Sequence, residues 1–442
     1  MLDENIIIRI MQKSTFILAI IFSSCLVSAQ NILSPEEAIN IALNNNFGIL
    51  VARNNAEIAK INNSIGAAGM LPNLALNTTG TLSKSNVNLE QSNNNKIVRS
   101  NGQATNLNTG LALSWVLFDG GKMFITKHKL GILENLGEYT YKDTVQQTVY
   151  NTIVAYYNVV SQKQQLTSLN EAINYNKEQV KILQKSYDAG LVGKNNLLQA
   201  KIDLNVYLEN AINQEFAITS SKRILNQIMA RDSDIQFDVL DTIIFVSLPE
   251  KTTFIQKLDT SNINILSTQK QVQILTLALK EYNATRLPRI TLNAGYNLSQ
   301  TDNNASNIIF NRSYGPSIGA TISIPIFQAG TVTRQVATAR LQLKNAEYNL
   351  SKIRLLINTQ LQNTLNQYEN LNRLLELEKE NVILAKENIE ISIQRLRLGQ
   401  TTSLEVFRAQ ESFVTSKTRL INFEYNLKIA ETKLKTLVAE LK

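Results

Sequence analysis

The feature that most constrains this chain is that it contains itself twice. Leu71-Pro72-Asn73-Leu74-Ala75-Leu76-Asn77 recurs as Leu287-Pro288-Arg289-Ile290-Thr291-Leu292-Asn293, at an offset of 216 residues. From Gly110 onward the offset is 209: residues 110–118 match 319–327, Gly121 matches Gly330, Gly190 matches Gly399, Ala200 matches Ala409, and 225–230 match 434–439. Two copies of one unit that differ in length at a single place, between Ser83 and Gly110, mark a connection there that is free to vary. The frame this implies is a first repeat over residues 30–230, an inter-repeat segment over 231–252 and a second repeat over 253–442.

Each repeat carries two short segments of period 2. Leu74, Leu76, Thr78, Gly80 and Leu82 alternate with Asn73, Ala75, Asn77, Thr79 and Thr81, and a partner run places Leu107, Leu111, Leu113, Trp115 and Leu117 on one face. The second copy has Ile290, Leu292, Ala294, Tyr296 and Leu298, then Ile318, Ala320, Ile322, Ile324 and Ile326. These patterns predict strand pairs over 73–118 and 289–328, with a polar loop over 85–106 in the first copy. Alternation over about ten positions fits a membrane strand with a wet inner face, and it fits a half-buried hairpin in a soluble sheet equally well.

The helical segments separate the two. Residues 122–187 and 331–397 contain no proline and almost no glycine, so each can extend on the order of 100 Å. Val332, Val336, Ala339, Leu343, Ala346, Leu350, Ile353 and Ile357 are spaced alternately four and three, a heptad seam. Leu420, Phe423, Leu427, Ala430, Leu434, Leu437 and Leu441 repeat it. Between them, Ile357, Leu361 and Leu365 form a four-four stutter that locally unwinds a supercoil. Short glycine-containing turns at 188–194 and 398–402 predict antiparallel helix hairpins over 122–230 and 331–440. An earlier helix opens with Ser34-Pro35-Glu36-Glu37: an N-cap, a proline at the first helical position and a capping-box glutamate.

Composition closes off several function classes. One histidine (His128) and one cysteine (Cys25) leave metal, thiol and imidazole chemistry almost nothing to use, so neither an enzyme nor a cofactor is expected. The formal charge of +8 is dispersed without a basic run, which argues against nucleic acid. Residues 1–29 read as a secretory signal peptide: Arg9 and Lys13 precede an apolar stretch from Phe16 to Val27, with Val27-Ser28-Ala29 at the cleavage positions. Initiation at Met11 instead of Met1 would remove the acids Asp3 and Glu4 from this leader, and Cys25 is a poor match to a lipidation signal.

Four strands cannot close a membrane barrel, which needs about eight, and an open sheet edge is not tolerated in lipid. Other copies of the chain must complete the sheet, in a closed ring. The expected fold class is therefore an α+β membrane protein, a shared pore continued by helical hairpins.

The residues that fill this frame resemble the TolC-like outer-membrane efflux family across nearly all of the mature length. The resemblance is carried by Leu33-Ser34-Pro35-Glu36-Glu37-Ala38 with Ala42-Leu43 and Asn46, by Leu71-Pro72, and by Phe118-Asp119-Gly120-Gly121. Tyr187-Asp188-Ala189-Gly190-Leu191 with Leu197 and Ala200, echoed by Leu398-Gly399 with Leu404 and Ala409, completes it. It implies a homotrimer with a twelve-stranded barrel in the outer membrane, a periplasmic α-helical tunnel and an equatorial belt that includes residues 231–249. It further implies a passive export duct that docks a periplasmic adaptor and is driven by an inner-membrane transporter. On the same ground Gly190, Leu191, Leu398 and Gly399 are the tips that would receive the adaptor. Some family members narrow the entrance with two acidic residues one turn apart; here Glu405 holds the first position and Arg408 the second, so an entrance-gating pair of opposite charge is expected. The rival is a secreted coiled-coil scaffold or adhesin, which would explain the helices but not the duplicated strand pairs. Cargo is not legible, although methionines only at Met70, Met123 and Met229 after the leader give little support to a metal relay.

Overall fold

A computed structural model describes residues 32–441, apart from 91, 93, 247 and 307; the expected signal peptide, with Cys25 and both candidate start methionines, lies outside the described residues. The chain divides into two compact units, each drawing on both repeats. One combines the residues up to Leu50 with Val145–Ile255 and 360 onward; the other combines Val51–Thr144 with Gln256–Thr359.

The first unit holds the N-terminal strand β1 (Ile32–Leu33), helix α1 (Pro35–Asn45) and the inter-repeat segment. The capping box at the start of α1 is formed: Glu37 N donates to Ser34 Oγ at 3.1 Å, and Ser34 N donates to the Glu37 carboxylate at 2.9 Å. In the inter-repeat segment, β4 (Asp238–Val239) pairs in parallel with β1. Tyr156 fastens this pairing from below, donating to Leu33 O at 2.8 Å and accepting from Leu240 N at 3.2 Å. Phe237, Val239 and Ile243 share a core with Leu33, Ala38, Tyr156, Tyr157 and Leu225. Burial pushes the Asp238 carboxyl up, but the Lys163 ammonium at 2.7 Å outweighs it and leaves the group below its ordinary range.

The long helices α3 (Lys122–Asp188) and α7 (Thr331–Arg397) are followed by α4 (Lys194–Ile228) and α8 (Ser403–Leu437). Both members of each related pair have the same length, 67 or 35 residues, so the duplication holds residue for residue through the helices. Along α7 the heptad seam is the covered face: Val336, Ala339, Ala346 and Ile357 are buried while Leu341, Leu355 and Leu356 are exposed. In α8, Leu427, Ala430, Leu434 and Leu437 are buried as the spacing predicts.

The second unit is organised by one four-stranded antiparallel sheet of β2 (Asn73–Glu90), β3 (Lys96–Asp119), β5 (Arg289–Asn303) and β6 (Phe310–Ser323), in the order β2-β3-β5-β6. Helix α2 (Phe47–Asn62) leads into it, and α5 (Lys251–Ser261) and α6 (Ile263–Ala284) lead from the inter-repeat segment to β5. Three sequence expectations need correction. The polar stretch 85–106 is mostly not a loop: β2 and β3 stay paired to Glu90 and Lys96, with one irregularity at Ser85/Val87. Backbone pairing needs no apolar residue, and with both faces wet the hydropathy alternation that marks a strand is lost. Second, β6 ends at Ser323, not near 328, because Pro325 has no N–H to give to a ladder. Third, the register shifts between Val116 and Phe118, so Leu117 bulges out and Phe118 takes the place opposite Ile290.

Candidate functional site

The register sorts the sheet into two chemically distinct faces. Leu76, Leu111 and Tyr296 stand in one row; Leu113, Ala294 and Ile318 in another; Leu298 and Tyr314 in a third. All of these fall on the same side as Leu74, Leu82, Leu107, Trp115, Leu292 and Ile322, by strand alternation. The opposite side carries Asn77, Asn108, Asn293, Ser299 and Thr301, joined across strands by Ser299 to Asn108 at 2.6 Å and Thr301 to Asn106 at 2.9 Å. The apolar side is bare: Leu74 is 63% exposed and Ile318 80%. From Leu74 to Leu82 it runs on the order of 25 Å, the height of the apolar band that a barrel offers to lipid. Above Leu82 and Leu107 the β2–β3 hairpin continues past the end of β5, where Lys84, Glu90, Lys96 and Arg99 are interspersed with Val87, Ile97 and Val98. An exposed apolar face of this extent on a monomer marks a lipid or protein interface.

Both outer strands, β2 and β6, have one neighbour each among the described residues, so the sheet has two unpaired edges. Pro316 sits within β6, opposite Tyr296, where an edge strand accommodates the missing donor. No helix among the described residues is long and apolar enough to cross a membrane.

At the other site of interest, in the first unit, the turns of both helix hairpins share one core. Ile182, Leu183, Leu197 and Ala200 of the first hairpin are buried in one cluster with Ile389, Ile393, Val406 and Phe413 of the second. Gln179 Nε2 donates to Ser403 Oγ at 3.0 Å, and Arg397 pairs with Glu178 at 3.0 Å. Each long helix ends in a Schellman turn: Gly190 (φ 75°) with Leu191 N to Ser186 O at 2.8 Å, and Gly399 (φ 69°) with Gln400 N to Arg395 O at 2.8 Å. The glycines supply the left-handed conformation, and the residues beside them, Leu191 at 78% and Leu398 at 70% exposure, project bare aliphatic surface. The structure thus brings Gly190, Leu191, Leu398 and Gly399 to one end of the first unit.

Glu405 and Arg408 are both exposed on the first turns of α8. Glu405 is engaged locally, its N–H donating to Thr402 Oγ1 at 3.3 Å and its carboxylate accepting from Thr401. No ion pair joins it to Arg408 within the chain, among the described residues.

Residues 38–231 and 252–440 match the sequence profile of the family described as outer membrane efflux protein. The chain belongs to that family. The efflux-protein match is split by the inter-repeat segment. Among curated relatives, the outer membrane efflux protein BepC of Brucella suis is 23% identical over 338 residues, 74% of this chain and 70% of that protein. TolC of Escherichia coli is 20% identical over 320 residues, 69% of this chain and 64% of TolC. The crystal structure of the Campylobacter jejuni CmeC outer membrane channel superposes with a TM-score of 0.77 at 17% identity, covering 92% of this chain and 85% of that one. The open state of the Neisseria gonorrhoeae MtrE outer membrane channel gives 0.71 at 16% identity, covering 92% and 89%. This efflux protein is accordingly an outer-membrane channel with a periplasmic helical part.

The meeting of residues at the corner where sheet joins helix was not legible from the sequence. Asp119, Arg289 and Ser323 end their strands in one row, next to Lys122 at the start of α3. The repeat alignment does mark Arg289, which replaces Asn73 of the first copy at an otherwise matched position.

Proposed function

We propose that three copies of this chain close a twelve-stranded barrel, and that the combined pore is a passive duct from periplasm to exterior. The observation that carries this is the four-stranded sheet with one bare apolar face and two open edges: a single copy cannot bury its edges in lipid, where each unmade backbone hydrogen bond costs several kcal/mol. Edge-to-edge pairing of β2 from one copy with β6 of the next satisfies both and places every apolar face outward. The helical tips at Gly190–Leu191 and Leu398–Gly399 then gather at the periplasmic entrance, where their exposed leucines would receive an adaptor that links the duct to an inner-membrane transporter. Glu405 and Arg408, unpaired to each other within one chain, are free to pair between neighbouring copies and hold that entrance narrow. The protein itself performs no chemistry on its cargo in this reading.

Native mass spectrometry of the detergent-solubilised protein is expected to show a trimer that dissociates on heating, and reconstitution of that trimer to give conducting pores. A folded, membrane-inserted monomer would contradict the proposal.

A further inference from the structure

A row of polar residues ends the wet face of the sheet just where the helices begin. Asp119, Arg289 and Ser323 stand opposite one another on β3, β5 and β6, on the side of Asn293 and Thr321 and away from Ile290 and Ile322. With Lys122 and Thr126 of α3 they line a cavity of about 500 Å³. The fold creates this enclosure by pressing two corners together: a side chain at Gly120 would meet Leu287 Cβ at 2.6 Å, so the β3–α3 corner rests directly on the α6–β5 corner.

The charges in this cavity are not committed to holding the corner together. Asp119 accepts from Met123 N at 3.0 Å and caps α3. Among the described residues Lys122 and Arg289 enter no ion pair and no side-chain hydrogen bond. The duplication supplies an internal control, because the sister positions of Arg286 and Arg289 are Met70 and Asn73, and that of Lys122 is Thr331. The left-handed turn at Gly120–Gly121 recurs at Ala329–Gly330 without these cations, although β3 runs to Asp119 and β6 stops at Ser323, so the turn itself does not require them. The unit that contains the cavity also carries twenty Lys and Arg against ten Asp and Glu, a background that attracts anions.

We propose that this cavity is an anion site on the luminal wall, one that draws in a carboxylate or phosphate group of the solute being exported. This rests on the reading that the polar sheet face lines the pore. Two cations face one capped carboxylate, and the positive end of the α3 dipole points the same way. Ser323 and Gln328 add neutral hydrogen-bonding groups on the walls, whereas the Thr126 hydroxyl is already donated to Glu281 Oε1 at 2.7 Å. Both cations keep contact with water, which keeps binding weak enough for release, as conduction requires. In a symmetric assembly the site repeats around the pore.

The full-length protein, reconstituted in planar bilayers, tests this through its reversal potential in a KCl gradient and its block by potassium citrate. Wild type is expected to be blocked by citrate, with the apparent affinity weakened roughly two- to fivefold by Lys122→Gln or Arg289→Gln, and the chloride-to-potassium permeability ratio lowered in step. Arg289→Lys, which keeps the charge, should retain the block, and Lys122→Gln carries the test if Arg289→Gln fails to insert. Citrate block and reversal potential unchanged in the glutamine variants would overturn the site while leaving the channel intact. A wild type that conducts nothing would instead overturn the channel reading beneath it.

Discussion

Four left-handed backbone positions recur between the repeats: Gly120 and Ala329, Gly121 and Gly330, Gly190 and Gly399, Ala230 and Ala439 all have positive φ, whereas Gly69, Asn94 and Asn101 are left-handed in the first repeat alone. Only one of these glycines is also required by space. At Gly120 a Cβ would strike Leu287 and the backbone of Ala284, whereas at Gly121 there is nothing within 4 Å. Gly120→Ala is therefore expected to destabilise by roughly 1–3 kcal/mol, strain and overlap together, and Gly121→Ala by about 1 kcal/mol, the left-handed strain alone. Denaturant midpoints of the two variants in detergent decide it; equal loss in both would mean the corner contact is soft. Glu405 and Arg408 belong to the same scale. Removing both, Glu405→Ala with Arg408→Ala, is expected to raise single-channel conductance without loss of assembly, and the swap Glu405→Arg with Arg408→Glu to stay near wild type. Wild-type conductance in the alanine pair would leave them as solvated helix surface.

At the scale of elements, the strands are where sequence and structure part most. Period 2 over 73–83 and 289–298 announced β2 and β5 because one face needed aliphatic residues. The same strands beyond Ser83 carry no such demand, and only the ladder Glu90↔Lys96 through Ser85↔Gly102 reveals them. The two faces make opposite predictions one residue apart. Ile318→Lys puts an ammonium in the middle of the apolar face, at a cost of about 2–4 kcal/mol in a bilayer, and should sharply reduce membrane-inserted protein. Ser317→Lys, on the polar side of the same strand, should insert normally. Equal yields in extracted membranes would show that this face does not meet lipid. The helices of the two long hairpins were legible, since a proline-free heptad seam and a Gly-bearing stop leave few alternatives.

For the whole molecule, the hairpin that projects past β5 sets the topology. Its strands mix Lys84, Glu90, Lys96 and Arg99 among the apolar residues above Leu82 and Leu107, and its turn follows Glu90, so it should stand clear of lipid on the cell exterior. An epitope inserted beside Asn94 is expected to be labelled on intact cells with export preserved; labelling only after outer-membrane disruption would invert the orientation. The duplication, the long helices and the turn glycines were determined by sequence alone, because periodicity and proline exclusion are local or countable properties. The order β2-β3-β5-β6, the bulge at Leu117, the early end of β6 and the meeting of Asp119, Lys122 and Arg289 were decided only by tertiary structure. Those depend on which strand lies beside which and on how closely two corners approach, and residues some 170 positions apart carry no trace of that in their own spacing.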